Sequence, residues 1–265
     1  LRENGDLEAA LQELQEAVRL APGNADYHRE LGNTLFRRGD FAGAAQAYQA
    51  GLARQPSDPQ TQANLGLTLM QTGDWQGAAA AFREALKRQP DWSEAHVNLA
   101  NVLNRLDDPE GAAAEAQASL RLNPNLAEAH FQLGVAWLRQ GHVEDAVKEL
   151  REALRARPDF AEARVSLANA LRQKGELDEA VANYKEYLRL RPQEPSVHFR
   201  LANTLKGKND LEGAIKEYEE AIRLRPDHAN AYYNLAVTLE ETGQVARARQ
   251  AYEEYLRLAP DAPDA

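Results

Sequence analysis

The chain has 265 residues and a formal net charge of −10, with 41 acidic residues against 31 basic ones. This acidic balance argues against nucleic acid as the main partner, because phosphate binding needs a basic face. The sequence contains no cysteine, which excludes disulfides and thiol catalysis, and no apolar run long enough to span a membrane.

A period of 34 residues organises the chain from end to end. Prolines recur at this interval: Pro22, Pro56, Pro90, Pro124, Pro158, Pro192, Pro226 and Pro260. A second series, from Leu31-Gly32 to Leu235-Ala236, places leucine before glycine or alanine at the same interval. A fixed period of this length predicts a stacked array of small units and excludes a single globular core.

The period divides the chain into one partial unit, seven full units and a tail. We expect residues 1–24 to hold the end of one helix and a complete second helix. The full units are residues 25–58, 59–92, 93–126, 127–160, 161–194, 195–228 and 229–262, and residues 263–265 form the tail. Since terminal repeats normally need a solvating cap, we expect a segment of a longer protein. The alternative is a naturally short array.

Each full unit predicts two helices joined by a tight turn. In residues 25–58, apolar or small residues have helical spacing from Tyr27 to Leu35, and a second helical pattern follows from Phe41. Gly39 between them predicts a left-handed turn, and Pro56 ends the second helix. In two other units Asp107 and Asn209 occupy the glycine position, and both residue types tolerate this conformation.

Small residues at two repeat positions predict close helix packing. Numbering each unit from 1, so that residue 25 is position 1, position 8 is always glycine or alanine. Position 20 is alanine in every unit: Ala10, Ala44, Ala78, Ala112, Ala146, Ala180, Ala214 and Ala248. A larger side chain there would cost roughly 1–3 kcal/mol from overpacking.

These motifs closely resemble the tetratricopeptide repeat family. The resemblance implies an all-α fold, a right-handed superhelical solenoid of antiparallel helix pairs. The first helices (A) would line a concave groove, and the second helices (B) would form the convex back. The segment Asn98-Leu99-Ala100-Asn101 is also loosely similar to the asparagine-lined arm of O-GlcNAc transferases. Leu67, Val135 and Val237 interrupt that asparagine series.

The resemblance implies that ligands lie against A-helix positions 2, 5, 9, 12 and 13, to which we add the asparagines of position 6. We call this surface the groove face. Amide groups, which offer donors and an acceptor, come from Asn33, Asn64, Asn98, Asn101, Asn169 and Asn203. Apolar side chains come from Leu67, Phe131, Phe199 and Tyr233. Cations come from Arg29, Arg37, Arg105, Arg139, Arg172 and Lys206.

Both polar sets have a simpler interpretation. Asparagines that face water need no ligand, and bases near the end of helix A complement the helix dipole. We favour binding for the asparagines because they recur at fixed positions. The basic residues could attract acidic side chains of a partner, and this hypothesis and the dipole interpretation stay open together.

We expect no catalytic residue, metal ion or cofactor. His28, His96, His130 and His198 share position 4, one repeat apart, so they cannot converge on one ion. We interpret them as packing residues. No nucleophile, acid and base occur together in an arrangement typical of catalysis.

The expected function is therefore a non-catalytic protein-interaction scaffold that binds an extended peptide or a partner helix in the groove. The alternative is a substrate-recruiting arm of a larger enzyme, such as a glycosyltransferase. Binding of a chaperone tail through a carboxylate clamp is excluded, because Glu94 and Asn98 stand where the resemblance requires Lys and Arg. Self-association through uncapped terminal repeats is a further expectation. We expect no membrane insertion, and a cytoplasmic protein with the periplasm as the alternative.

Overall fold

The computed structural model describes residues 2–260, and this part of the chain is all-α, as predicted. The predicted tail, residues 263–265, lies outside the described residues. Short turns join the helices. They are α1 (Arg2–Leu20), α2 (Ala25–Arg38), α3 (Phe41–Arg54), α4 (Pro59–Thr72), α5 (Trp75–Arg88), α6 (Ser93–Arg105), α7 (Pro109–Leu122), α8 (Ala127–Arg139), α9 (Val143–Ala156), α10 (Ala161–Lys174), α11 (Leu177–Leu190), α12 (Pro195–Gly207), α13 (Leu211–Leu224), α14 (Ala229–Glu241) and α15 (Val245–Leu258).

The beginnings of the helices follow the sequence period. The even-numbered helices, α2 to α14, are the A helices, and the odd-numbered helices, α3 to α15, are the B helices. Among the pairs in contact are α2 with α3 and α12 with α13. Residues 2–20 depart from the expected helix end, turn and helix, because α1 runs unbroken through Gly5. Glycine within a helix costs only about 1 kcal/mol, so the helix can continue through this position.

Side-chain caps and left-handed residues set the helix boundaries. Asp40 is the N-cap of α3 and accepts a hydrogen bond from the Gly43 amide (2.9 Å). Gly39 closes α2 with a φ of 84°. Asp107 (φ 60°) and Asn209 (φ 64°) adopt the same left-handed conformation, as their sequence position predicts.

Close packing of the two helices in a repeat depends on position 8. A Cβ atom added at Gly66 would lie 2.9 Å from Cζ of Phe82, a fully buried ring on the paired helix α5. Position 20 is also closed: Ala44, Ala78 and Ala112 are completely buried. The predicted need for small residues at both positions is therefore confirmed.

The chain divides into two compact units, residues 1–140 with α1–α8 and residues 141–265 with α9–α15. Within each unit, every B helix that precedes an A helix packs on it, for example α3 on α4 and α13 on α14. Neighbouring A helices also contact one another in unit 1, α2 with α4, α4 with α6, and α6 with α8. The A helices thereby place groove-face residues of successive repeats side by side.

The position-4 histidines fasten helix A to the preceding turn. His96 donates from Nε2 to the Pro90 carbonyl oxygen (2.8 Å) and from Nδ1 to Glu115 Oε2 (2.6 Å). His198 makes the same pair of bonds, to Pro192 (3.0 Å) and Glu217 (2.6 Å). An imidazole that donates from both nitrogens is the charged form.

The two carboxylates therefore shift the histidine titrations. The hydrogen bond to Glu115 raises the pKa of His96, against an opposing effect of burial. For His198, burial acts to lower the pKa, but the bond to Glu217 together with that to Pro192 raises it overall. A raised folded-state pKa contributes stability that is present below the unfolded pKa of about 6.5 and is lost as pH rises through the folded value.

We predict that Glu115→Gln lowers the pKa of His96, because the neutral amide no longer favours the imidazolium. An NMR titration of the His96 ring measures this directly. The wild-type free energy of unfolding should fall with pH above the unfolded histidine pKa, and the variant should lose part of that slope. An unchanged His96 titration in the variant would contradict the assignment, and His198, which keeps Glu217, is the internal control.

Candidate functional site

The predicted groove-face residues lie on the A helices in two sets, one in each unit. Unit 1 holds Arg29, Asn33, Arg37, Asn64, Leu67, Asn98, Asn101, Arg105, Phe131 and Arg139. Unit 2 holds Asn169, Arg172, Phe199, Asn203, Lys206 and Tyr233. Within unit 1, the contacts between α2, α4 and α6 bring the asparagines of those helices to one side.

A hollow of about 260 Å³ opens on this side between α2 and α4. Its lining comprises Asn33, Phe36, Arg37, Tyr48, Asn64 and Leu67. Four of these are predicted site residues, so the structure does bring them together. Tyr48 comes from the B helix α3 and is not among the residues predicted for the site.

A hydrogen-bond network fixes the amides of the hollow. Tyr48 Oη donates to Asn33 Oδ1 (2.8 Å), and Asn64 Nδ2 donates to the same oxygen (3.0 Å). Gln60 Nε2 in turn donates to Asn64 Oδ1 (3.0 Å). Asn33 Oδ1 thus accepts two hydrogen bonds and has no further capacity, whereas Asn64 Oδ1 accepts one and keeps one lone pair. Asn33 Nδ2 also donates to Glu30 Oε2 (3.3 Å), so each of the two amide nitrogens has one N–H left to donate.

The same arrangement recurs twice in unit 2. Asn203 Oδ1 accepts from Tyr218 Oη (2.6 Å) and from Asn234 Nδ2 (3.0 Å). Asn169 Oδ1 accepts from Tyr184 Oη (2.6 Å) and from Arg200 Nη1 (3.0 Å). In each case the asparagine at position 9 joins its own B helix to the next A helix. These half-buried amides therefore have a structural role, which the expectation from sequence did not include.

The tyrosines of these networks are buried, and burial disfavours a phenolate. Desolvation raises the pKa of Tyr48 to about 12, and it likewise raises the pKa of Tyr184 and Tyr218. The hydroxyls therefore stay protonated at physiological pH and act as donors. This protonation state fixes the asparagine oxygen toward the tyrosine and the amide nitrogen away from it.

Asn101 differs from the other position-9 asparagines. Its repeat has Ala116 at the position where the other three repeats with a position-9 asparagine have tyrosine. On the next A helix, Gln132 occupies the position from which Asn64, Arg200 and Asn234 donate in the other networks, and it bonds instead to Asn104 (2.9 Å between Oε1 and Nδ2). Among the described residues no hydrogen bond engages the side chain of Asn101, and the same is true of Asn98 on the same helix. These two half-buried amides keep their full donor and acceptor capacity.

Three of the six groove-face cations already form ion pairs with carboxylates of this chain. Arg29 pairs with Asp26 (2.9 Å) and Asp58 (3.4 Å). In two separate pairs Arg139 lies 2.7 Å from Asp107, and Lys206 lies 3.0 Å from Glu241. Pairing with carboxylates of this chain is therefore a third role for these residues, besides binding acidic partner side chains and complementing the helix dipole.

Two unit 1 arginines and Arg172 lack such ion pairs among the described residues. Arg105 stacks over the ring of Trp75, 5.2 Å from its centroid, and Arg172 lies beside Tyr184. Arg37 is exposed at the rim of the hollow. Arg37 is therefore the cation in the lining of the hollow that can pair with an acidic group of a ligand.

The aromatic groove-face residues have a partly structural role. Phe199 packs 4.8 Å from the ring of His228, and Tyr233 lies 5.2 Å from the ring of Tyr255. Tyr233 is 36% exposed, and Phe131 is half-buried in the first turns of α8. Their exposed edges can contact a ligand, but packing within the repeats explains their presence.

The chain matches the family model described as the cilia and flagella-associated protein 70 C-terminal domain over residues 1–235. A tetratricopeptide repeat model matches residues 229–262. No curated protein sequence matches the chain. Within residues 2–260, no helix has the length and apolar character of a membrane span. The same range holds no cluster of histidine and carboxylate side chains that could bind a metal ion.

Solved structures of similar proteins share the fold. PilF of Pseudomonas aeruginosa is 22% identical with a TM-score of 0.66, over 77% of this chain and 93% of its own. YrrB, described as a TPR protein with an unusual peptide-binding site, is 22% identical with a TM-score of 0.62, over 69% and 95%. MamA is 27% identical with a TM-score of 0.57, over 62% and 90%.

We predict that the same substitution at two equivalent positions has different effects on stability. Asn169→Ala leaves the Tyr184 hydroxyl and Arg200 without their acceptor and should cost about 1–3 kcal/mol. Asn101→Ala breaks no hydrogen bond and should change stability by less than about 0.5 kcal/mol. Native-state hydrogen exchange of the two regions measures both values, and equal losses would contradict the assigned roles.

Proposed function

Because the chain belongs to the tetratricopeptide repeat family of the cilia and flagella-associated protein 70 C-terminal domain, we propose that it is a non-catalytic protein-interaction scaffold. The proposed ligand is an extended peptide segment of a partner protein, bound on the groove face of unit 1. The hollow between α2 and α4 carries this proposal. It combines fixed amides, an open cation and apolar walls in one place.

The hollow suits one side chain of a peptide and the backbone beside it. A volume of about 260 Å³ is smaller than most small-molecule sites, which start at about 300 Å³. Phe36 and Leu67 offer apolar contact within it. Arg37 at its rim favours an acidic residue next to the buried side chain.

Hydrogen-bond capacity selects which backbone groups the hollow would bind. The Asn33 and Asn64 oxygens accept from Tyr48, Asn64 and Gln60. Each amide keeps one N–H that suits a peptide carbonyl oxygen, and the free lone pair of Asn64 Oδ1 can accept from one peptide N–H. On α6, Asn98 and Asn101 can both donate and accept, and would contact peptide N–H groups as well. Recognition of the backbone in this way tolerates many peptide sequences.

Peptide is also the ligand class named for one solved relative, YrrB. That likeness supports the choice of ligand to test. The residues proposed here are those of this chain's own hollow and of α6.

We predict that peptides selected by phage display on the full chain lose affinity when Asn98 and Asn101 are both changed to alanine. Two lost hydrogen bonds of about 0.5–1.5 kcal/mol each correspond to a decrease of roughly five-fold to more than a hundred-fold. Fluorescence anisotropy with labelled peptides measures the change. The matched control is Asn125→Ala, an exposed asparagine in the turn after α7.

The Arg37→Ala variant separates the two parts of the recognition. It should weaken acidic peptides and reduce their salt dependence, with little effect on neutral ones. Groove-face recognition would be refuted if the peptides bound the Asn98 and Asn101 double variant as tightly as they bind the wild type and the Asn125→Ala control.

A further inference from the structure

The asparagine network that joins α10 to α12 carries more positive charge than the one that joins α12 to α14. Its centre is Asn169 Oδ1, which accepts from Tyr184 Oη (2.6 Å) and from Arg200 Nη1 (3.0 Å). Arg172, one turn after Asn169 on α10, lies beside the same tyrosine. Both arginines are exposed, so two guanidinium groups flank one uncharged hydrogen-bonded centre on the surface of unit 2.

No carboxylate of the described chain neutralises these two arginines. Within residues 2–260, neither Arg172 nor Arg200 forms an ion pair. Glu162, the one acidic residue of α10, pairs instead with Arg191 (2.9 Å), and α12 contains no acidic residue. The two positive charges are therefore left to solvent or to an anionic group from outside the chain.

The charges that act on the buried tyrosines distinguish the two networks of unit 2. Burial raises the pKa of Tyr184, and the positive charges of Arg172 and Arg200 act to lower it. At the equivalent Tyr218, burial again raises the pKa, but there a carboxylate, Glu241, adds to the increase. The surroundings of Tyr184 are thus cationic, whereas those of Tyr218 include a negative charge.

The structural role of Arg200 does not require an arginine. At the same repeat position, Asn234 donates to Asn203 (3.0 Å) with a neutral amide, and Asn64 makes the equivalent bond in unit 1 (3.0 Å). A guanidinium group has five N–H donors, and within residues 2–260 one of those of Arg200 is engaged, on Asn169. The charge and the remaining donors of Arg200 exceed what the fold uses and can serve a ligand.

We propose that Arg172 and Arg200 together bind one oxyanion group, a carboxylate or a phosphate, on an extended peptide segment of a partner protein. Arginine suits both groups, because its planar fork forms paired, charge-assisted hydrogen bonds with them. Phe199, half-buried next to Arg200 on α12, offers an apolar contact to the neighbouring residue of the peptide. The inference rests on the proposed function for the class of partner alone, since these residues lie in unit 2 and the hollow lies in unit 1.

Parallel selections from a phage-displayed random peptide library test the proposal on the full chain. One selection uses the wild type, and the other uses the double variant with Arg172→Gln and Arg200→Asn, which keeps a donor for Asn169. Peptides selected on the wild type should carry aspartate or glutamate at a fixed position, and those selected on the double variant should not. The matched control is Arg83→Gln, an exposed arginine on α5 without an ion pair in the described range, which should select the same acidic peptides as the wild type.

Synthetic versions of one selected peptide identify the group that is bound. They carry glutamate, glutamine or phosphoserine at the enriched position, and fluorescence anisotropy measures their affinities. On the wild type the glutamine version should bind about ten-fold or more weakly than the glutamate version, and on the double variant the two should bind equally. Whichever of the glutamate and phosphoserine versions binds the wild type more tightly identifies the source of the oxyanion. If circular dichroism shows that the double variant is unfolded, Arg172→Gln alone, which leaves the Arg200 bond in place, gives the same comparison.

Two outcomes would overturn the inference. The first is a wild type that enriches no acidic peptides beyond those enriched by the double variant. The second is a difference between the glutamate and glutamine peptides that persists in the double variant. The Asn98 and Asn101 double variant separates this inference from the proposed function. Peptides that lose affinity there but not on changing the two arginines would refute this inference alone, and the converse result would refute recognition by unit 1 alone.

Discussion

The inability of one helix pair to bury its own apolar surface is the constraint on which the rest of the structure depends. Each B helix is covered by the A helix of the next repeat, as α13 is covered by α14. Small residues at positions 8 and 20 let the two helices within a repeat pack closely, and Gly66 has no room for even one added carbon beside Phe82 on its paired helix.

The same stacking decides what the groove face can offer to a ligand. Where Tyr48 reaches from the B helix to Asn33, and Asn64 reaches from the next A helix, the Asn33 oxygen is used to hold the repeats together. The stabilising bonds and the ligand-facing donors then belong to the same amide. A substitution at such a position changes stability and binding together, and only residues such as Asn101 allow the two to be measured apart.

Much of the fold could be predicted because the same pattern of residue types recurs in every repeat. The turns at Asp107 and Asn209 are left-handed as expected, since residue type and position leave few alternatives. The unbroken course of α1 could not be predicted from the period, because the period places a turn at Gly5. Nor could the orientation of the Asn33 amide, which depends on the distance to Tyr48 in space.

One signal for those networks is nonetheless present in the sequence. Tyrosine at position 24 accompanies asparagine at position 9 in three repeats, whereas Phe82 accompanies Leu67 and Leu150 accompanies Val135. A polar pair is thus exchanged for an apolar pair as a unit, which is what a buried hydrogen bond requires, because either partner alone would be left unsatisfied.

Two repeats break the pairing, and they show its consequence. Tyr252 faces Val237 in place of an asparagine, and its hydroxyl turns to Glu240 at 3.2 Å. Ala116 faces Asn101 and leaves that amide free of the fold. A buried B-helix residue therefore determines whether the amide on the groove face is committed to structure or available to a partner. Binding chemistry on this face is set in part from within the repeat, through residues that no ligand touches.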